Sequence, residues 1–220
     1  VLEKKKIPLG IVTGIRGSFR YRDAYCVGEY LHSGATPFEY RKDTVVAVSM
    51  LVNEMNNLWQ KELKKKKDLV ITFGQFSTDH EQHSFAKSSG LVQFCIDVRS
   101  NSNKTLQLIN KRFFEKIKII EKKTKTKFFL GSQTNSEPAL MDKKLIKIFQ
   151  KFSNENSIKF ETMASGAGHD ASVFANNGVP SIMLFIRNKN GSHNPKEYMS
   201  IEQFMKVLKV LSGIIEKNHL

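Results

Sequence analysis

Only two cysteines, Cys26 and Cys95, occur in 220 residues. Each lies in an apolar, strand-like run, which predicts buried free thiols in a reducing compartment rather than a disulfide or a metal pair. Acidic residues are also scarce, 21 against 35 Lys and Arg, leaving a formal charge of +14. That balance raises nucleic acid or an anionic membrane as partners. However, the lysines are scattered over helical-looking segments, with one run at Lys64–Lys67, and little aromatic–basic interleaving marks a nucleic-acid face. Solvated helix surfaces are expected instead, with no nucleic-acid partner. No stretch approaches the ~18 consecutive apolar residues of a membrane span. No secretory leader is visible, so a cytoplasmic location is expected. Internal repeats and low-complexity linkers are missing too. So are the G-x-S-x-G, Walker, C-x-x-C and H-E-x-x-H signatures of the common hydrolases, nucleotide enzymes and redox or metal sites.

What is present is a globular composition, 40% hydrophobic and 10% aromatic, long enough for one large or two small cores. Residues 18–30 alternate apolar with polar and predict a strand. Val45, Val48, Leu51, Met55, Leu58 and Trp59 recur at helical spacing over about 41–63. Strands are expected at 68–76 and 90–100, the second with Phe94, Ile96 and Val98 on one face. Leu106, Ile109, Phe113, Ile117 and Ile120 form the stripe of a helix over 103–122, and 127–131 looks like a short strand. This β-α-β-β-α-β order is that of a ferredoxin-like α/β sandwich, placed at 11–130. The remainder, 131–220, predicts a helix over 141–153 and a strand near 158–162. A short helix stopped by Gly178 comes next, then a strand at 179–187 that is apolar throughout, as if covered on both faces. The final helix has Ser200 as N-cap, Gln203 in the capping-box position and a stripe of Phe204, Leu208, Leu211 and Ile215. Strands alternating with helices suggest a parallel or mixed sheet.

Few residues can carry chemistry. His193 stands in "NKNGSHNPKEYMS", a turn stiffened by Gly191 and Pro195 directly after an apolar strand. Ligands collect at the carboxyl ends of strands in open α/β sheets, and a neutral imidazole in a rigid loop suits zinc. The same ring could instead cap the following helix. "SGAGHD" (165–170) is a small-residue loop whose Gly166, Ala167 and Gly168 let backbone approach a ligand, while Asp170 could simply cap a helix with His169 beside it. His32, in "HSGATP", could donate to an oxyanion or sit exposed. Arg99 could pair bidentately with a carboxylate or make a surface salt bridge to Asp97.

Taken in order, "GIVTGIRG…FRYR", "HSGATPFEYRKDTVVAV", "SGAGHDASVFANNGVPSIMLF" and "NGSHNPKEYMS" closely resemble zinc-dependent amidohydrolases of the N-carbamoyl-L-amino-acid hydrolase and allantoate amidohydrolase family. These belong to the aminoacylase and dizinc carboxypeptidase-like superfamily, and the resemblance covers nearly the whole chain. It implies an α/β catalytic domain with an inserted ferredoxin-like lid that forms a homodimer. Residues 1–10 would end the N-terminal catalytic segment, 11–130 would be the lid, and 131–220 the C-terminal part of the catalytic domain. It implies His193 as the last metal ligand and His32 as the lid histidine that polarises the scissile carbonyl across the dimer. Arg99 would pair with the substrate carboxylate, and the backbone of Gly166, Ala167 and Gly168 would wall the pocket. Two ions, Zn2+ or else Mn2+, Co2+ or Ni2+, are implied for the complete enzyme. The family often places Asn where Ala86 stands here, so His83 or Ser84 is expected to supply that contact or the contact is missing. The other metal ligands and the general-base glutamate have no match. The chain is therefore expected to be a C-terminal fragment, inactive alone, of a hydrolase of ureido or amide bonds beside a carboxylate-bearing carbon. A non-catalytic dimerisation module is the alternative.

Overall fold

The computed structural model describes residues 1–216. The elements, in chain order, are α1 (Leu2–Lys5), β1 (Leu9–Ile15), β2 (Gly17–Val27), β3 (Leu31–His32), a 3-10 turn (Phe38–Tyr40), α2 (Thr44–Lys64), β4 (Val70–Thr78), β5 (Lys87–Ser88) and β6 (Leu91–Ser100). They continue with α3 (Asn103–Thr124), β7 (Lys127–Phe129), β8 (Gln133–Ser136), β9 (Ala139–Leu140), α4 (Lys143–Glu155), β10 (Phe160–Ser165), α5 (Ala171–Asn176), β11 (Leu184–Ile186) and α6 (Ile201–Glu216). No helix among the described residues is long and apolar enough to cross a membrane. The chain forms two compact units, Gly17–Glu137 and Val1–Arg16 with Pro138–Leu220.

In the Gly17–Glu137 unit an antiparallel sheet of order β4-β6-β2-β7 carries α2 and α3, and β8 pairs with the other end of β2. Alternation along β6 turns Val92, Phe94, Ile96 and Val98 inward. On β2, Phe19 and Tyr21 are inward, then a register shift between Tyr21 and Ala24 keeps Ala24 and Cys26 on the same buried side. Both long helices start on side-chain caps. Asp43 accepts from the Val45 and Val46 N–H groups, and Ser102 accepts from that of Thr105. The 3.6-residue period then buries Ala47, Val48, Leu51 and Met55 on α2 and Leu106, Ile109, Phe113, Ile117 and Ile120 on α3. These residues form one core with the strands, and Phe113 stacks on Tyr21 at 5.7 Å between ring centroids. Each fully buried Phe, Ile or Leu contributes about 1.5–3 kcal/mol to folding. The lysine run is not wholly solvated. Lys65 and Lys67 pair with Glu62 at 2.7 and 2.6 Å, and these bonds hold the Glu62 carboxyl below its ordinary range.

In the other unit β1 is central, parallel to β10 and antiparallel to β11 and β9. Leu9 and Ile11 face α4 and α6 (Phe149, Phe152, Val207, Val210, Ile214), whereas Val12 and Ile15 face α5. At Gly213 a Cβ would come within 2.3 Å of the Phe152 ring, so only glycine lets α6 approach α4 this closely.

Several expectations are corrected here. The unit boundaries fall at 16/17 and 137/138, not at 10/11 and 130/131. Residues 9–15, not expected as a strand, hydrogen-bond to β10, and 133–136 hydrogen-bond to β2. The apolar run 179–187 yields only the three-residue β11, and its residues 181–187 are half-buried rather than covered on both faces. The expected stripe of α6 is exposed, because Val207, Val210 and Ile214 take the inward positions. Ser200 does cap α6, accepting from the Gln203 N–H, but the Gln203 carbonyl oxygen is buried without a partner, so the reciprocal half of the capping box is not made.

Candidate active-site residues

His32 ends β3, a two-residue strand laid against β5. Its turn is tightly held. The His32 Nδ1 accepts from the backbone N–H groups of Gly34 and Ala35, both at 3.2 Å. Arg41, which sequence reasoning did not single out, donates from Nε to the Thr36 carbonyl at 2.9 Å and from Nη2 to the Ser33 carbonyl. With Nδ1 accepting, the ring proton sits on Nε2, and the residue is exposed. The imidazole is thus presented as a hydrogen-bond donor. The Ser33 N–H donates to the Ala86 carbonyl at 2.8 Å, so the stretch that departs from the family pattern lies beside the His32 turn. His83 shares a hydrogen bond with Thr78 Oγ1 at 3.1 Å and lines, with Ser84, Asp43 and Lys87, a cleft of about 670 Å3.

Arg99 lies on β6 opposite Ser18 and Val70. Its Nε and Nη2 both donate to Asp97 Oδ2, at 2.9 and 2.5 Å, while Arg20 Nε reaches Asp97 Oδ1 at 3.2 Å. Part of the planar fork is therefore engaged by a carboxylate of its own strand. Within this unit His32 and Arg99 are not brought together. The end of β6 nearest the His32 turn is Leu91, and eight residues of strand, roughly 26 Å, separate Leu91 from Arg99.

In the other unit, the glycine loop follows β10. Ser165 organises it: the Oγ accepts from the Ala167 N–H at 3.3 Å, donates to the Ala167 carbonyl at 3.1 Å and shares a hydrogen bond with His169 Nε2 at 2.9 Å. Asp170 occupies the N-cap position of α5 without a side-chain cap. A Cβ on Gly168 would meet nothing within 4 Å, so space beside that backbone is open.

The His193 loop is closed by a Lys189–Tyr198 bridge and pinned by Glu197, whose carboxylate accepts from Asn188 Nδ2 at 2.7 Å and from the His193 N–H at 3.2 Å. The Asn188 amide foremost, then Ser192, the His193 N–H and the His193 charge, hold the Glu197 carboxyl below its ordinary range. His193 adopts a left-handed backbone, φ 62°, beside Asn190 and Gly191, also at positive φ. Because β11 runs antiparallel to β1, it ends beside Leu9, whereas β10 ends beside Ile15. The two loops leave from opposite ends of β1. The rule that ligands gather at carboxyl ends assumes parallel neighbours, and here the neighbours oppose each other. The His193 ring is exposed, and among the described residues no three His, Cys, Asp or Glu side chains are grouped to hold an ion. A single imidazole does not make a zinc site, so the described residues by themselves do not fit a metal centre.

The peptidase family M20/M25/M40 model matches residues 4–217. The chain belongs to that family. It is 32% identical over 217 residues to allantoate amidohydrolase of Bacillus subtilis (strain 168), covering 98% of this chain and 51% of the relative. It is 30% identical over 219 residues to N-carbamoyl-L-amino-acid amidohydrolase of Pseudomonas sp. (strain NS671), covering 99% of this chain and 51% of the relative. Among solved structures, an amidase of the hydantoinase/carbamoylase family from Burkholderia multivorans superposes with a TM-score of 0.84 at 23% identity, over 96% of this chain and 50% of that one. That likeness shows the fold. The chain spans about half the length of these relatives.

Proposed function

We propose that this chain contributes to a metal-dependent hydrolase of linear C–N bonds, ureido or amide, in substrates that carry a carboxylate, such as N-carbamoyl-amino acids or allantoate. The observation that carries this is the family match over residues 4–217, joined by the 30–32% identity to relatives named for those two activities. In this reading the Gly17–Glu137 unit is a ferredoxin-like lid and dimerisation domain. Its βαββαβ order and the sheet order β4-β6-β2-β7 support that. The two unpaired cysteines, one buried, suit a reducing, cytoplasmic compartment.

Each residue then has a role that its surroundings support. His32, its Nδ1 occupied, offers Nε2–H to the carbonyl oxygen on which negative charge develops. A preorganised donor of that kind contributes about 3–4 kcal/mol to the transition state. Arg99 orients the substrate carboxylate, which must compete with Asp97 for the guanidinium. The backbone of Gly166, Ala167 and Gly168 forms a wall against which the substrate packs. His193 is one ligand of a divalent ion, Zn2+ or a first-row relative, and the bond from its backbone N–H to Glu197 fixes the main chain from which the ring projects. Since the described residues do not form a metal centre, the remaining ligands belong to polypeptide that assembles with this unit.

The test is His32→Ala in the active assembly. A drop of about 10²–10³ in kcat with KM little changed is expected. An equal loss in kcat and in substrate affinity would contradict the donor role. A non-catalytic dimerisation module is the second reading, favoured by the lack of a grouped ligand set among the described residues. Turnover in the metal-loaded assembly that falls with His32→Ala while the assembly stays intact excludes it.

A further inference from the structure

The two most exposed aromatic side chains among the described residues flank the His32 turn. Phe85 is 103% exposed and Phe38 is 84% exposed. Phe38 opens the 3-10 turn that Arg41 closes back onto the Ser33 and Thr36 carbonyls. Phe85 is tethered from the other side. The residue after it, Ala86, accepts from the Ser33 N–H at 2.8 Å, and Lys87 pairs directly with His32 across β3 and β5. At most roughly 7 Å of chain separates Phe85 from Lys87. The ring is therefore carried on the same framework as the imidazole. A phenyl group left wholly in water gains from any apolar surface that comes to cover it.

Phe85 also lines the cleft of about 670 Å3 beside that turn, which falls in the size range of small-molecule sites, roughly 300–1,000 Å3. Polar side chains border this cleft, yet each already has a partner in the protein. The Asp43 carboxylate accepts from the Val45 and Val46 N–H groups, and Thr78 and His83 bond each other. Ser84 Oγ accepts from the Ala86 N–H at 3.4 Å, Ser88 Oγ accepts from the Leu31 N–H at 3.2 Å, and Ser89 Oγ donates to the Leu91 carbonyl at 2.8 Å. The Lys87 ammonium lies over the Tyr30 ring, 5.7 Å from its centroid. What remains for an incoming group is the Phe85 ring, with the half-buried Val45 in the same cleft. A polar guest would give up water for groups that are bonded elsewhere, whereas an apolar guest has no such bonds to lose.

We propose that Phe85 is a specificity-determining residue: it receives the apolar side chain of an N-carbamoyl-L-amino acid whose ureido carbonyl is held by His32. This rests on the hydrolase reading and narrows its substrate class from ureido acids in general to those with an aromatic or branched aliphatic side chain. The cleft begins one strand beyond His32, about 5 Å away, a span that the bonds between the ureido carbon and the ring of N-carbamoyl-L-phenylalanine can cover. Allantoate carries a second ureido group where such a side chain would stand. It brings donors and acceptors to a phenyl surface and is the poorer substrate.

The test compares kcat/KM of the active assembly for N-carbamoyl-L-phenylalanine, N-carbamoylglycine and allantoate. The parent is expected to favour the phenylalanine derivative over each of the others by about tenfold or more, the discrimination that apolar contact supplies. Phe85→Ala should cut the phenylalanine-over-glycine ratio by about tenfold or more, chiefly through KM, and Phe85→Leu should retain most of it. Because the ring is wholly exposed, the thermal midpoint and the assembly state of Phe85→Ala should match the parent. The inference is overturned if the ratio in Phe85→Ala stays within about twofold of the parent. It is also overturned if the variant breaks the assembly, which would make the ring an interface contact. Hydrolysis of N-carbamoylglycine with no preference for the phenylalanine derivative would sink this inference and leave the hydrolase reading standing. No hydrolysis of any ureido acid would end both.

Discussion

Replacing Gly28 by alanine would drive a methyl group into the backbone beneath the His32 turn. A Cβ at position 28 would lie 2.0 Å from the Lys42 carbonyl oxygen and 3.0 Å from Thr44 Cγ2. That is more than 1 Å inside a normal contact of about 3.5 Å. The obstacle is main chain, and it cannot swing aside as a side chain would. The Lys42 carbonyl accepts from the Glu29 N–H at 3.0 Å, the Gly28 N–H donates to Gly90 at 2.8 Å, and Thr44 donates to the Ser89 carbonyl through both N–H and Oγ1. Moving any strand of this knot strains the others. Overpacking costs about 1–3 kcal/mol and the Glu29 bond about 1 kcal/mol, offset by about 0.5 kcal/mol from the lower chain entropy of unfolded alanine. The expected loss is about 2–3 kcal/mol, measured by urea unfolding followed by tryptophan fluorescence of Trp59, which lies in the same unit. Gly168→Ala is the control, because a Cβ there meets nothing within 4 Å, and its stability should stay within ~0.5 kcal/mol of the parent. A Gly28→Ala protein as stable as the parent would refute the close approach of this strand to the Lys42 backbone.

Other outcomes follow from the same geometry. Arg99→Lys keeps the charge but cannot reproduce the two-bond fork now made to Asp97, so KM for a carboxylate substrate should rise tenfold or more with kcat little altered. An unchanged KM would remove Arg99 from the site. Burial, foremost, pushes the Cys26 thiol from its ordinary 9.0 up to about 11, with Glu121 adding to the rise and hydrogen bonds from Thr126 and Lys127 opposing it. Between those values the folded state keeps a proton that the unfolded state has lost. Stability should therefore be level with respect to this group below pH 9.0 and fall as pH climbs through about 11. Cys26→Ser should remove that slope, and an identical slope in the variant would show that another group is responsible.

The parts of the fold that were legible in the sequence are those where one face of an element is buried and the other wet. On α3 every member of the expected stripe is buried, and on β6 the alternation of Phe94, Ile96 and Val98 is the observed core face. Signals failed where that asymmetry fails. Strand β1 carries Gly10 and Gly14 among apolar residues and is covered on both faces, so no period marks it. Helix α6 has two apolar rows, and the period does not say which one the described residues cover. Strand β8, with all four residues exposed, pairs along the edge of β2 through backbone bonds and two polar side-chain contacts, Ser18 with Ser136 and Tyr21 with Gln133, and buries no apolar face that a period could mark. The candidate residues were legible as residue types, but the groups that aim them were not. Arg41, Ser165 and Glu197 act by holding turns, and nothing in their spacing reveals which carbonyl or N–H each will reach. The direction of β11 was equally hidden, since an apolar run has no sense of parallel or antiparallel, and that direction decides from which end of β1 the His193 loop departs.

We propose that this chain belongs to an enzyme that cuts C–N bonds beside a carboxylate. The most direct test is product release by the metal-loaded active assembly that contains this chain, given N-carbamoyl-L-amino acids and allantoate alongside the same compounds with the carboxylate amidated. Hydrolysis of the free acids, at least tenfold faster than of the amidated forms, is the predicted result. A fully assembled, metal-loaded protein that leaves every ureido acid intact, or cuts the amidated forms equally well, would contradict it.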